Sequence, residues 1–217
     1  MKKMKKVKNA ILFAMCFGTF STVRAQSFDE TLSASYTKFD TATTVATMMP
    51  MLSQLDMIAL KYPDKWESNF YSAYAHIKLS YKLADKNQRD QYLDGADVAI
   101  GKAQRLSPNN EEIFILQAYA AKARMAVDPK DRWKKYGDVF DEAIGKAKKI
   151  NAENPRIYFL EGEGPFFKPK MWGGGKDKAR PYFKKAKELF AKEDKTNVLK
   201  PYWGQQANED FLKQCDE

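Results

Sequence analysis

Ala99-Ile100-Gly101-Lys102-Ala103 occurs a second time, letter for letter, as Ala143-Ile144-Gly145-Lys146-Ala147. Each copy runs through two polar residues to an aliphatic one, Leu106 and Ile150, and Tyr182-Phe183-Lys184-Lys185-Ala186 followed by Leu189 is a looser third copy. The flanks repeat as well. Ala96-Ile100-Ala103-Leu106, Phe140-Ile144-Ala147-Ile150 and Ala179-Phe183-Ala186-Leu189 share steps of four, three and three, which put four side chains on one helical face. Upstream of each, Phe70-Tyr71-Ser72-Ala73, Ile115-Leu116-Gln117-Ala118 and Phe159-Leu160-Glu161-Gly162 align as two large apolar residues, a polar one and a small one. Two independent markers keep nearly one period, so the chain is built from repeated helix pairs. Gly101 and Lys102 belong to the outer face of such a pair, whereas Ile100 and Ala103 face its core.

Strand-type alternation is absent, and the remaining segments carry helix punctuation. Asp64-x-x-Glu67 is a capping pair, Asp128-Pro129-x-Asp131 and Asn154-Pro155 combine a cap with a first-turn proline, and Pro50 separates helices over 28–48 and 51–61. Further helices are expected over 65–85, 88–106, 111–126, 129–150, 155–162, 177–191 and 201–213. The expected fold is an all-α helical-repeat solenoid of about three elongated helix pairs with a capping C-terminal helix. Residues 26–63 would form an N-terminal helical segment and 64–217 the repeat domain.

Residues 1–25 read as an export signal. Five lysines precede an apolar run from Ala10 to Phe20, too short to span a membrane, and Val23-Arg24-Ala25 offers a cleavage site before Gln26. The expected location is therefore periplasmic, with no membrane span in the mature chain. The full chain has 37 basic and 28 acidic residues, but six of the basic ones lie in the signal, which leaves about +3 after cleavage. That balance disfavours a nucleic-acid partner. Only Cys215 remains as a thiol, so the core must hold without an internal disulfide.

With the small residue at one crossing, the Ala–large–Ala spacing on the second helix, Tyr74 and Tyr119 after the small residue and Pro108 after the pair, the chain resembles tetratricopeptide repeats. It departs from them in its longer period, in Glu163 where an aromatic is expected, and in Ala152 where the proline is expected. The Gly164-Pro165…Gly173-Gly174-Gly175-Lys176 connection is also similar to that of exported tetratricopeptide-like proteins such as the T-component of TRAP solute transporters. These resemblances imply a scaffold whose first helices line a groove that holds a peptide.

Catalysis has little to work with. His76 is the only histidine, no cysteines cluster, and Glu161 and Glu163 diverge on a helix, so no catalytic residue, metal site or cofactor is assigned. The expected role is a non-enzymatic, protein-binding scaffold of the cell envelope. A solute-binding accessory of a transport system, holding a small molecule, is the alternative, and an enclosed apolar pocket would favour it. Candidate groove residues are Asn69, Ser72, His76, Gln117, Arg124 and Glu161. The second candidate surface is the 164–176 loop, where Phe166, Phe167, Met171 and Trp172 stand beside Lys168 and Lys170. These four apolar residues are expected to fold back on the core by default; an exposed remainder would form a partner site. Gly173–Gly175 is read as a turn rather than an anion cradle, and Tyr81, Trp133, Trp203 and Phe211 as core or end-cap packing.

Overall fold

The structure is a computed structural model that describes residues 27–217; the stretch read as an export signal, with its expected cleavage site, lies outside the described residues. Among the described residues nine α-helices follow one another: α1 Phe28–Thr41, α2 Val45–Lys61, α3 Trp66–Ser80, α4 Lys86–Leu106, α5 Glu111–Val127, α6 Pro129–Ile150, α7 Pro155–Phe167, α8 Lys176–Phe190 and α9 Gln205–Asp216. No strand occurs among the described residues. The repeat units pair α3 with α4, α5 with α6 and α7 with α8, and α1 with α2 continues the same pattern at the N-terminal end. The odd-numbered helices stack on one another from α1 to α7, and α9 packs on α8.

The small residues do what their spacing predicts. Ala73, Ala96, Ala103, Ala118, Ala147, Ala179 and Ala186 are fully buried. At Gly162 an added Cβ would lie 2.7 Å from the Phe183 ring, so α7 crosses α8 at a distance only glycine permits. Gly162→Val is therefore expected to destabilise the fold by about 1–3 kcal/mol through overpacking. A urea midpoint unchanged from that of the parent would contradict this reading of the crossing.

Several local expectations are corrected. The first helix break falls at Ala42–Thr44, because Thr44 and Thr47 form a reciprocal cap there, and Pro50 sits inside α2. Asp64 does not cap α3. No side chain caps its first amides; the Ser68 hydroxyl instead ties the first turn to the preceding loop through the carbonyls of Tyr62 and Lys65, at 2.9 and 2.8 Å. Asp128 occupies the cap position of α6 but gives its carboxylate to Lys86, at 2.8 Å, whereas Asn154 caps α7 as expected. Leu106 and Ile150 are exposed, since each is the final residue of its helix. Trp133 is exposed rather than packed. Glu163, the charge in place of an aromatic, is compensated by Lys122 of α5 at 2.8 Å, both side chains being largely buried.

Candidate functional site

The odd-numbered helices present a run of aromatic side chains on one face: Tyr36 from α1, Tyr71 and Tyr74 from α3, Tyr119 from α5 and Phe159 from α7. In a helical-repeat solenoid this is where a peptide is expected to lie, and here the chain's own segment before α9 lies across it. Tyr202 packs on Tyr36 with centroids 5.3 Å apart, and Tyr71 donates its hydroxyl to the Val198 carbonyl at 2.7 Å. Trp203 is buried against Tyr74, Tyr119 and Phe159. One strap, from Lys192 to Gly204, thus touches all four stacked helices.

Arg156 fastens the strap. Its side chain is 0% exposed and bridges Glu193 through both carboxylate oxygens, at 2.7 and 3.2 Å, and Glu112 at 3.1 Å. It also donates to Asn154 and to the Pro201 carbonyl, and its guanidinium lies over the rings of Phe190 and Trp203. Burial pushes the Glu112 carboxyl from 4.5 up to about 7, outweighing the opposite pull of Arg156 and of the Asn154 amide. Between those values the folded chain holds a proton that the unfolded chain has released. The resulting stabilisation is complete below about pH 4.5 and is lost as pH rises through 7. Relative to Glu112→Gln, the parent is expected to lose stability of the order of 3 kcal/mol between pH 4.5 and 8. Urea titrations of the two proteins across that range check this, and a difference independent of pH would refute it.

The polar residues expected to line the groove face elsewhere. On α3, Ser72 and His76 lie roughly 160–200° around the helix from Tyr74, toward α2 and α4. Ser72 donates to Asp56 Oδ1 at 2.6 Å and His76 Nε2 lies 3.3 Å from the same oxygen, while Asn69 is buried and donates to the Lys65 carbonyl. Gln117 donates to Gln104 of α4, Arg124 is held by Asp90, Asp94 and Asp97 of α4, and Glu161 accepts from Lys148 of α6. These pairings occupy them between helices, so the inner face is aromatic instead of polar. A Ser–His–Asp relay is not formed, because hydroxyl and imidazole both point at the carboxylate and the imidazole cannot draw the hydroxyl proton. Among the described residues no group of three His, Cys, Asp or Glu side chains converges on a metal position.

The 164–176 connection is the surface that stands out. Helix α7 runs on through Pro165 to Phe167, and Lys170–Trp172 forms a 3-10 turn. The amides of Gly173, Gly174 and Gly175 donate to the carbonyls of Lys170, Pro169 and Pro165, at 2.9, 3.1 and 2.8 Å. Those amides are therefore spent on closing the turn, which the positive φ of Gly173 (82°) and Gly175 (117°) makes possible. The expectation that all four large apolar residues fold back holds for Phe166 alone. Its ring rests on Phe211 of α9, Phe183 of α8 and Phe167, with centroids 4.8, 6.1 and 5.1 Å apart. Phe167, Met171 and Trp172 are 69%, 84% and 65% exposed, with Lys168 and Lys170 exposed beside them. A turn closed this tightly by its own backbone bonds leaves too little chain to bring both ends of the motif onto the core. The result is a rigid aromatic and basic lip on an aromatic base.

The sequence matches no family model and no curated protein. Its architecture is that of an all-α protein of packed helix pairs. In particular it is similar to the solved structure of the HusA haemophore from Porphyromonas gingivalis, with a TM-score of 0.77 and 27% sequence identity over 88% of this chain and 94% of that one. No described helix is long and apolar enough to cross a membrane.

Proposed function

We propose that this is a non-enzymatic, exported ligand-binding protein of the cell envelope, released by cleavage near Ala25, and that its ligand is a haem-type tetrapyrrole held on the 164–176 lip. The observation that carries the site is the exposure of Phe167, Met171 and Trp172 beside Lys168 and Lys170. The likeness to a haemophore supplies the ligand class. The chemistry suits it: a flat apolar macrocycle stacks on exposed rings, and its carboxylates meet lysine ammonium groups. The Met171 thioether is the iron ligand type at hand on the lip. Helices α3 to α8 and the N-terminal segment serve as the scaffold that holds this surface rigid.

Haem added to the mature protein is expected to shift its absorption bands and quench tryptophan fluorescence, saturating at one equivalent. A response that stays linear with haem, as non-specific adsorption gives, would remove the tetrapyrrole reading. The same aromatic and basic lip fits a protein partner in the envelope, since rings and cations are favoured at interface centres. That reading is favoured if haem fails to saturate while the lip still retains an envelope protein on a column.

A further inference from the structure

A cleft of about 400 Å³ lies on the face of α3 turned away from Tyr74, between α2 and α4 with α3 as its floor. Its floor is polar where a packed helix would be apolar: Asn69 and Ser72 are buried and His76 nearly so. The His76 ring reaches its place because position 95 is glycine; a Cβ there would lie 2.7 Å from the ring. Ser72 and His76 both engage Oδ1 of Asp56, which leaves Oδ2 without a protein hydrogen bond among the described residues. This end of the cleft thus offers an oriented carboxylate, with Asp94 on the facing wall already shared with Arg124. Lys102 lines the cleft two turns further along α4 and forms no ion pair among the described residues. Eight residues of helix separate Asp94 from Lys102, about 12 Å. Between the charged ends stand apolar lips, Leu60 and Val98, 67% and 61% exposed.

We infer that this cleft binds a short zwitterionic peptide, with its amino terminus on Asp56, its carboxylate on Lys102 and an apolar side chain between Leu60 and Val98. Three extended residues span about 10 Å, comparable with the roughly 12 Å of α4 between Asp94, which faces the Asp56 end of the cleft, and Lys102. The carboxylate is oriented by the Ser72 hydroxyl with the His76 ring beside it, which lowers the cost of engaging an ammonium group. The site is independent of the tetrapyrrole reading, since it lies on another face and uses none of the lip residues.

The test titrates Ala-Leu-Ala, its N-acetyl form and its C-terminal amide into the mature protein and follows the amide resonances of Asp56, Ser72, His76, Val98 and Lys102. The free peptide is expected to saturate, with acetylation weakening it about tenfold or more and amidation by a smaller factor, as charged hydrogen bonds are lost. Asp56→Asn should mimic acetylation and Lys102→Ala should mimic amidation. Because the blocked peptides probe the unaltered protein, a folding defect in either variant leaves the test intact. Equal binding of all three peptides, or no response at the cleft, would overturn the proposal.

Discussion

Replacing Arg156 by methionine is expected to cost the fold about 3–5 kcal/mol, the usual consequence of removing one partner from a buried ion cluster. At a fall of about 2–4 °C per kcal/mol for a chain this long, the melting temperature should drop by about 6–20 °C. Arg156 is fully buried and is the one side chain that joins α5 through Glu112, the cap of α7 through Asn154, and the strap through Glu193 and Pro201. Without it Glu193 is left facing a buried surface with no cation, and the strap loses its anchor over the aromatic face. Glu112 limits the damage by keeping its proton, so the defect should be smaller at pH 5 than at pH 8. Replacing Arg156, Glu112 and Glu193 together, by methionine and two glutamines, should recover part of the loss. A single-variant cost below about 1 kcal/mol would show that the strap is held by its apolar contacts instead.

The second large effect is on binding. Phe167→Ala combined with Trp172→Ala is expected to weaken haem binding by about 30-fold or more, since exposed aromatic anchors at a binding centre contribute about 1–3 kcal/mol each. Stability should move by no more than about 1 kcal/mol, because both side chains are largely exposed and the ring contacts of Phe167 are edge-on, to Phe166 and Phe211. Phe166→Ala is the contrasting case. That ring lies on Phe211 and Phe183, so its loss should lower the urea midpoint as well as affinity. A double variant that folds normally and binds haem at full strength would place the ligand elsewhere on the molecule.

Much of the architecture was legible in the sequence because it rests on spacing. Ala73, Ala118 and Gly162 mark the crossings, and Ala103, Ala147 and Ala186 the second helices, through steric needs that no other residue type meets as well. The site was half legible. The lip residues were named, but the chain alone favoured packing them inward, because apolar character carries no information about whether a turn is long enough to fold back. The backbone bonds from Gly173, Gly174 and Gly175 decide that, and they are a property of the closed turn. Polar positions on the first helices were read as groove-facing, whereas Asn69, Ser72, His76, Gln117 and Arg124 are directed between helices by partners on α2 and α4 or by the local backbone. A wheel drawn from Tyr74 and Tyr119 would have shown them on the far side. Arg156 and Glu112 left no local signal, since their partners lie about 40 residues away in the chain.

The central claim is that the lip, and not the inner helical face, receives the ligand, and the paramagnetism of haem iron tests it directly. Amide relaxation measured on the mature protein with sub-stoichiometric haem should broaden residues 166–175 and their neighbours around Phe211 first, leaving Ser72, His76 and Val98 sharp. Broadening centred on Tyr74, Tyr119 and Trp203, with the lip unaffected, would mean that the strap opens to admit the ligand and would contradict the account.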